Sequence, residues 1–339
     1  MIPRTQTLWQ TSDWQRSLAQ SFTDPAELLR YLRLPPSLLP MARAAAGNFP
    51  LRVPPGFASL IRKGDLDDPL LRQVLPLGEE LQEQAGFVED PVGDRTALSV
   101  PGVMEKYRGR TLLVTTGACA IHCRYCFRRH FPYAGNNSQG NWQLALDRLR
   151  ETETAEVVLS GGDPLALSNT RLRCLLEGLS NLPRLKRIRF HSRFPIVLPE
   201  RVDKGLLHLL QKQEKKLLMV VHCNHAQELG DGARLALGRL RDAGCLLFNQ
   251  SVLLRGVNAD AGVLAELCEA LFDAGVLPYY LHRLDPVRGS AHFEVPDDEG
   301  LRLHLRLLEL IPGYMAPRLV TEIAGAGSKI PLGTGGSLV

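Results

Sequence analysis

Three cysteines stand within eight residues, in the segment that reads Cys-Ala-Ile-His-Cys-Arg-Tyr-Cys. They are Cys119, Cys123 and Cys126, and they follow an apolar run at residues 112–114 that is typical of a strand. Cysteine thiolates hold iron-sulfur clusters, and a cubane cluster usually takes four of them. Because three ligands leave one iron free to bind a reactant, this spacing predicts a reactive 4Fe-4S cluster.

A structural zinc site is the alternative interpretation of the same segment. His130 follows Cys126 by four positions, and a set of three cysteines and one histidine at this spacing is acceptable for zinc. A zinc site of this kind is closed and supports the fold, whereas a three-cysteine cluster is open and supports chemistry. The residues alone leave both interpretations open.

The C-x3-C-x2-C spacing, with Tyr125 directly before the last cysteine, resembles the signature of the radical S-adenosylmethionine (radical SAM) enzymes. The resemblance implies that S-adenosylmethionine chelates the open iron and is cleaved to a 5′-deoxyadenosyl radical. It also implies that Tyr125 lies beside the adenine. The signature indicates a superfamily and leaves the substrate open.

A second segment, Gly161-Gly162-Asp163, follows the apolar run at residues 157–159. Glycines let a ligand approach the backbone, and consecutive amides can cradle a charged group. An ordinary turn uses the same residues. At this position the segment is similar to the Gly-Gly-Asp/Glu element of radical SAM proteins, which implies contact with the amino group of S-adenosylmethionine.

Near the carboxyl terminus, Lys329 is the one lysine in a glycine-rich stretch at residues 321–331. A lysine can form a Schiff base with a carbonyl cofactor such as pyridoxal 5′-phosphate, although a solvated tail lysine is the ordinary alternative. The stretch resembles the pyridoxal-phosphate loop of the lysine 2,3-aminomutase family, with Lys329 at the Schiff-base position. This resemblance extends roughly from Glu89 to Ile330.

Further segments in the same order carry the family resemblance. It implies that Tyr107 and Arg110 bind pyridoxal phosphate. Lys106 stands where arginine is usual, which keeps the positive charge but loses the bidentate geometry of a guanidinium group. It also implies cavity-lining roles for residues 222–225, 249–258 and 278–280. Together these segments imply a radical SAM, pyridoxal-phosphate-dependent isomerase.

Charge decides the expected substrate. By the resemblance, Arg128 binds the substrate carboxylate, a task that suits a bidentate guanidinium. Asp285 and Glu322 stand where the family holds the distal ammonium of lysine, Glu322 replacing the usual aspartate. A buried acidic substrate facing two carboxylates is disfavoured, so we expect L-lysine, converted from (S)-α-lysine to (R)-β-lysine. Asp285 alone also suits a turn cap ahead of Pro286.

The resemblance extends to a shorter branch of the family, because the sequence ends ten residues after Lys329 and carries glutamate at position 322. That branch makes (R)-β-lysine for attachment to translation elongation factor P (EF-P) by a synthetase-like ligase. We therefore expect a functional link to EF-P and its ligase.

The elements that position these residues are strands alternating with amphipathic helices. Strands are predicted near residues 111–117, 156–160, 187–193, 217–222, 245–253 and 277–284, and residues 319–323 suit a seventh that helps close the sheet. Six such units predict an α/β fold, a partial (β/α)6 barrel with its working residues at the carboxyl ends of the strands. Proline-broken short helices predict a helical extension at residues 1–100, before a barrel at 101–339.

Composition excludes several classes. The net charge of +4, the pI near 8.7 and 6% aromatic residues do not indicate a nucleic-acid surface. The absence of an apolar stretch of eighteen residues, or of a signal peptide, predicts a cytoplasmic protein that does not enter a membrane. The other cysteines, Cys174, Cys223, Cys245 and Cys268, are expected in the core.

Three rival functions stay open at this level. One is an aminomutase acting on another basic amino acid, such as arginine or ornithine. Another is a radical SAM enzyme that consumes S-adenosylmethionine and uses no pyridoxal phosphate. The third is a non-enzymatic zinc-bound scaffold, which has no use for the Lys329 loop or for the acidic pair.

Overall fold

The computed structural model describes residues 13–138 and 142–333. Ten strands form one sheet and follow one another in chain order, with β1 and β10 at its edges. The strands are β1 (Leu98–Val100), β2 (Val103–Tyr107), β3 (Arg110–Thr116), β4 (Glu156–Gly161), β5 (Arg187–Ser192), β6 (Lys216–Val221), β7 (Leu246–Val252), β8 (Leu277–His282), β9 (Arg318–Thr321) and β10 (Ile330–Pro331).

The pairing within the sheet confirms the predicted α/β fold. Strands β3 to β9 pair in parallel with their neighbours, whereas β1, β2 and β3 pair antiparallel, as do β9 and β10. The six predicted strands are β3 to β8, displaced by at most two residues at their ends. The seventh is β9, and it extends the sheet without closing it, because β10 then forms an edge.

Helices connect the parallel strands, as a right-handed α/β crossover requires. The α-helices before the sheet are α1 (Asp13–Ala19), α2 (Pro25–Tyr31), α3 (Leu39–Asn48), α4 (Pro55–Ala58) and α5 (Pro69–Arg72). Those between strands are α6 (Trp142–Glu151), α7 (Asn169–Ser180), α8 (Phe194–Val197), α9 (Lys204–Gln211), α10 (Asp231–Asp242), α11 (Ala261–Asp273) and α12 (Asp297–Leu310). Single 3-10 turns lie at Pro36–Leu38, Gly78–Leu81, Pro164–Ala166, Pro199–Arg201, Ala226–Glu228 and Ala291–Phe293.

The short helices α1 to α5 share one apolar core with the sheet. Trp14, Leu28 and Phe57 are buried in the same cluster as Leu159 and Phe190 of the strands. Proline begins α2, α4 and α5, a position where its missing amide costs no hydrogen bond. Strand β1 lies before residue 101 and pairs with β2 beyond it, so hydrogen bonds cross the predicted boundary between extension and barrel.

The cysteines outside the motif divide into two groups. Cys223, Cys245 and Cys268 are buried, as expected. The expectation for Cys174 is wrong, because it lies exposed on α7, away from the face that buries Leu172 and Leu176. Across the described ranges, no helix is both long enough and apolar enough to cross a bilayer.

Candidate active site

One cavity of about 430 Å³ is lined by residues of the sheet and of the loops that follow its strands. Side chains from strands β2 to β5 and β7 to β9, together with the loops that follow β3, β4, β6 and β8, contribute to its wall. Every predicted site residue lines it, and these are Tyr107, Arg110, Cys119, Cys123, Tyr125, Cys126, Arg128, Gly161, Gly162, Asp163, Asp285, Glu322 and Lys329. The fold therefore brings together groups that lie more than 200 residues apart in the chain.

The cysteine loop is anchored to the N-terminal extension. The Arg52 guanidinium donates to the Cys119 carbonyl at 3.3 Å, and the amide of Arg124 donates to the Gln73 carbonyl at 2.9 Å. The buried Glu80 carboxylate accepts from Arg124 Nε at 2.8 Å and from Arg129 Nη2 at 2.7 Å. Because these partners precede the sheet in sequence, the extension serves as the support of the cysteine loop.

The three sulfurs lie close enough to influence one another. Burial raises the pKa of Cys119 well above its ordinary value, and the neighbouring charges of Asp163 and the other two thiols raise it further. Burial and the Cys123 charge raise the pKa of Cys126 to about 11. A bound iron ion removes such repulsion and holds the thiolate form. Among the described residues, no group of three Cys, His, Asp or Glu side chains already stands in metal-coordinating positions.

The zinc interpretation depends on His130, which lies elsewhere. Its Nε2 is 3.2 Å from the carbonyl oxygen of Arg288, and it does not line the cavity that all three cysteines reach. The geometry therefore favours a three-thiol site without a histidine.

Tyr125 stands in a buried polar network that the sequence did not reveal. Its hydroxyl accepts from Asn224 Nδ2 at 2.7 Å, and its ring packs edge-on against Phe293 at 6.1 Å. Arg193 extends the network, donating to Cys123 Sγ at 2.8 Å and to Glu228 Oε2 at 2.9 Å. These contacts fix the orientation of the tyrosine ring between the last two cysteines.

The Gly161-Gly162-Asp163 turn does not offer the free amides that we expected. The amides of Gly162 and Asp163 donate to the carbonyls of Thr116 and Ala118 at 2.7 and 2.8 Å, so the expected cradle is wrong for both. A Cβ on Gly162 would lie 2.4 Å from the Ala118 oxygen. The glycines instead let the end of β4 approach the chain just before the cysteine loop.

Asp163 fastens this turn to β5. Its carboxylate accepts from Ser192 Oγ at 2.8 Å and from the amides of Arg193 and Leu165 at 2.7 and 2.9 Å. Burial raises the pKa of Asp163 to about 6, although these hydrogen bonds favour the ionised form. The side chain lines the cavity, but most of its hydrogen-bonding capacity is directed at the protein.

Comparison with known proteins decides the family. The chain is 48% identical over 323 residues to the L-lysine 2,3-aminomutase of Escherichia coli (strain K12), covering 94% of each chain. This chain belongs to the lysine 2,3-aminomutase family. It is also 41% identical to the Haemophilus influenzae enzyme of that name, covering 97% of this chain and 98% of that one. The corresponding values for the Clostridium subterminale enzyme are 33%, 95% and 78%.

Two other comparisons add little to the family assignment. No protein-family model matches the chain. A radical SAM methyltransferase from Sphaerobacter thermophilus aligns with a TM-score of 0.44 at 18% identity, over 65% of this chain and 68% of that one. A structural similarity this weak says nothing about the function of this chain.

In this aminomutase-family chain, Lys329 pairs with Glu322. The Nζ of Lys329 is 3.0 Å from Glu322 Oε2, and the Nζ of Lys106 is 2.9 Å from Oε1. Burial alone would raise the pKa of Glu322, but the two ammonium groups lower it to about 2. Glu322 is therefore an anion throughout the physiological range, already held between two lysines.

The charges continue from Lys106 to Arg128 through a carboxylate that the sequence analysis missed. Asp94 forms ion pairs with both Lys106 and Arg128, and Arg128 Nη1 also donates to Ser160 Oγ at 3.0 Å. Burial would raise the pKa of Asp94, yet the two cations hold it below its ordinary value. Asp94 lies in a loop of turn residues with no motif around it, so no sequence signal distinguished it.

Asp285 differs from Glu322 although both belong to the predicted acidic pair. Burial, and then the negative charge of Glu322, raise the pKa of Asp285 to about 7, against the opposing effect of Lys329 and Lys106. At neutral pH the pair therefore carries one full negative charge and one that is partly neutralised.

Several arginines make part of the cavity wall basic. Arg110 begins β3 and Arg318 begins β9, and the Arg110 guanidinium lies 4.8 Å from the centre of the Tyr107 ring. Arg189 also lines this cavity, and its buried Nε has no hydrogen-bond partner among the described residues. Guanidinium groups and unpartnered donors suit a phosphate, so the residues present fit pyridoxal phosphate.

Proposed function

We propose that this protein is a radical SAM, pyridoxal-phosphate-dependent L-lysine 2,3-aminomutase. In the reaction, the amino group of (S)-α-lysine moves to the β-carbon and gives (R)-β-lysine, so the enzyme is an isomerase. The observation that carries the proposal is that one cavity joins three thiols, a lysine amine, a buried arginine and two carboxylates. A zinc scaffold has no use for this combination.

Cys119, Cys123 and Cys126 would hold the 4Fe-4S cluster, with Tyr125 and residues 161–163 beside S-adenosylmethionine. When bound, the reduced cluster and S-adenosylmethionine supply the radical that removes a hydrogen atom from the substrate. The chain's own part is to fix the sulfurs. Arg193 holds Cys123 through a hydrogen bond to its sulfur.

Lys329, Tyr107 and Arg110 would hold pyridoxal phosphate, which supplies the carbonyl carbon to which the migrating nitrogen binds. The arginines of the cavity wall would bind the phosphate. Lys329 pairs with Glu322, which directly follows β9. The Tyr280 ring centre lies 5.7 Å from the Lys329 amine, which supplies an apolar face for a flat ring.

The substrate would be held at both ends. Arg128 is buried and already oriented by Asp94 and Ser160, so its remaining donors are fixed for a carboxylate. The distal ammonium would meet Asp285 and Glu322. Because Glu322 holds ammonium groups in the free protein, the site is suited to a third group of the same kind.

Lysine binding should strengthen as the pH rises through about 7. The protonated form of Asp285 is neutral, and its pKa is raised to about 7, so the carboxylate that attracts the distal ammonium forms only as pH passes that value. Below it, affinity should fall by up to about tenfold per pH unit. Equilibrium dialysis of the holoenzyme with labelled L-lysine, from about pH 6 to about pH 8, measures this.

The matched variants are Asp285→Asn and Asp297→Asn, the second removing an exposed carboxylate that pairs with Arg283. Asp285→Asn should bind lysine more weakly above pH 7 and lose the pH dependence, whereas Asp297→Asn should retain it. An unchanged pH profile in Asp285→Asn contradicts the assignment of this residue to the ammonium site.

Substrate choice is tested by comparing turnover of L-lysine, L-ornithine and L-arginine by the holoenzyme. The spacing between Arg128 and the acidic pair should favour lysine. A higher kcat/KM for ornithine or arginine would contradict lysine as the substrate but would still indicate an aminomutase. Absence of a Schiff-base absorption band would instead favour a radical SAM enzyme without pyridoxal phosphate.

We further propose that the β-lysine is used in the cytoplasm for post-translational β-lysylation of elongation factor P by a separate ligase. What supports this proposal is the resemblance of the sequence to that branch, which includes the glutamate at position 322. Deleting the gene should leave EF-P lighter by one β-lysyl group in intact-mass spectra, and added β-lysine should restore it. Unchanged EF-P in the deletion strain removes the pathway proposal and leaves the enzymatic one.

A further inference from the structure

Three histidines of the cavity have no part in the account so far. They are His191 in β5, His222 just after β6 and His282 at the end of β8. Burial lowers the pKa of His222 to about 4 and that of His282 well below its ordinary value, and the Lys329 charge lowers both further. All three rings are therefore uncharged in the free protein at neutral pH.

His282 is the one among them that contacts the Schiff-base lysine. Its Nε2 is 3.4 Å from the Nζ of Lys329. An ammonium group only donates hydrogen bonds, so Nε2 must be the acceptor, and the ring proton resides on Nδ1. The imidazole lone pair thus points at the amine.

Lys329 consequently has two acceptors of different character. Glu322 Oε2, at 3.0 Å, carries a full negative charge and forms an ion pair with the amine. The neutral His282 ring accepts a hydrogen bond and can also accept a proton. Attack on a carbonyl carbon requires the unprotonated amine, so the partner that can remove the proton is the relevant one.

We propose that His282 is a positioning residue for Lys329, whose unprotonated Nε2 orients the amine and receives its proton before the amine attacks the cofactor carbonyl. This rests on the proposed function, in which Lys329 forms the Schiff base. One N–H bond of Lys329 breaks, one N–H bond forms on Nε2, and the electron pair left on Nζ becomes the nucleophile. The reverse transfer returns the proton when Lys329 is released, and nothing is oxidised or reduced.

The surroundings permit this transfer without separating charge. Burial is the largest cause of the lowered pKa of His282 and the positive charge of Lys329 is the second; the second disappears as the proton leaves Nζ. Glu322 stays hydrogen-bonded to the same amine at 3.0 Å. The titratable and charged groups that face Lys329 and His282 from the packed elements are His191, His222, Glu322, Asp285, Lys106 and Tyr280.

The experiment follows the Schiff-base band after pyridoxal phosphate is mixed with the full-length protein, by stopped-flow absorbance from about pH 6 to about pH 9. The variants are His282→Phe, which keeps a flat ring without an acceptor, and His282→Gln, which keeps an acceptor that does not take a proton. His292→Phe is the control, because His292 is a histidine outside the cavity that packs on Phe293.

Loss of an acid-base group should slow band formation in His282→Phe at neutral pH by about 100-fold and move its rate profile to higher pH. His282→Gln should recover the final amplitude of the band but keep the shifted profile, and His292→Phe should match the unsubstituted protein. If circular dichroism shows that His282→Phe is unfolded, the pH profile of His282→Gln alone tests the inference. A profile unchanged in His282→Gln overturns the inference, whereas no band in the unsubstituted protein overturns the proposed use of pyridoxal phosphate.

Discussion

Replacing Lys329 by alanine should abolish β-lysine formation, with a loss on the order of a thousandfold or more, as is typical when a covalent catalytic group is removed. The purified variant should keep its iron and its colour. Lys329 pairs with Glu322 and contacts His282, and neither residue belongs to the cysteine loop. Iron content, visible absorbance and β-lysine yield are measured together on one preparation.

The fold should survive this change because Glu322 keeps Lys106 as an ion partner at 2.9 Å. Lys329→Arg is the matched control, since it preserves the cation beside Glu322 but does not form the Schiff base. Both variants should be inactive and should bind iron normally. Activity in either variant, or loss of the cluster from the alanine variant, contradicts the role assigned to Lys329.

Replacing Cys126 by alanine should remove the iron and, with it, all cleavage of S-adenosylmethionine. Two thiols are too few to hold a cubane cluster, and Cys126 is one of the three thiols that line the same cavity. Iron and sulfide analysis after anaerobic reconstitution is the first readout. The yield of 5′-deoxyadenosine is the second, and it should fall to the level of protein-free controls.

Two matched variants separate this result from its alternatives. Cys174→Ala removes an exposed thiol of α7 and should leave iron and cleavage unchanged. His130→Ala tests the zinc interpretation, and it should also leave the metal in place, since His130 does not line the cavity. Loss of metal in His130→Ala, together with zinc in the unsubstituted protein, would contradict the cluster assignment.

The sequence indicated those groups whose chemistry can be recognised from residues close to them in the chain. Cys119, Cys123 and Cys126 lie within eight residues, so their spacing indicated a cluster or metal site, whereas Lys329 was indicated by the resemblance of its glycine-rich stretch to a family loop. The parallel strands were also predictable, because each is a short apolar run between amphipathic helices. The fold then brought these two segments to the same cavity, as expected for loops at the carboxyl ends of parallel strands.

The groups that sequence reasoning missed act through contacts distant in the chain. Asp94 matters because Lys106 and Arg128 converge on it, and Gln73 because Asn224 and Arg193 reach it across about 150 and 120 residues. Neither Asp94 nor Gln73 lies in a recognisable sequence motif. Pairings of this kind arise only once the sheet has curved, so a single sequence does not reveal them.

The expectation of free amides in the glycine turn failed for a related reason, whereas its contact with S-adenosylmethionine stays a prediction. Gly161 and Gly162 suggested a backbone open to a ligand, but a glycine also permits close packing of one chain segment on another. Here the second use prevails, since a Cβ on Gly161 would lie 2.6 Å from the Thr116 oxygen. Composition does not distinguish the two uses, because both require the same absence of a side chain.

The most direct measurement is an anaerobic assay of the reconstituted protein with L-lysine, pyridoxal phosphate, S-adenosylmethionine and a reductant. The product is followed by chromatography and mass against authentic β-lysine. The account predicts β-lysine formation that requires every one of these components. Cleavage of S-adenosylmethionine with lysine unchanged would contradict the substrate and the reaction, and a protein that takes up no iron and cleaves nothing would contradict the cluster as well.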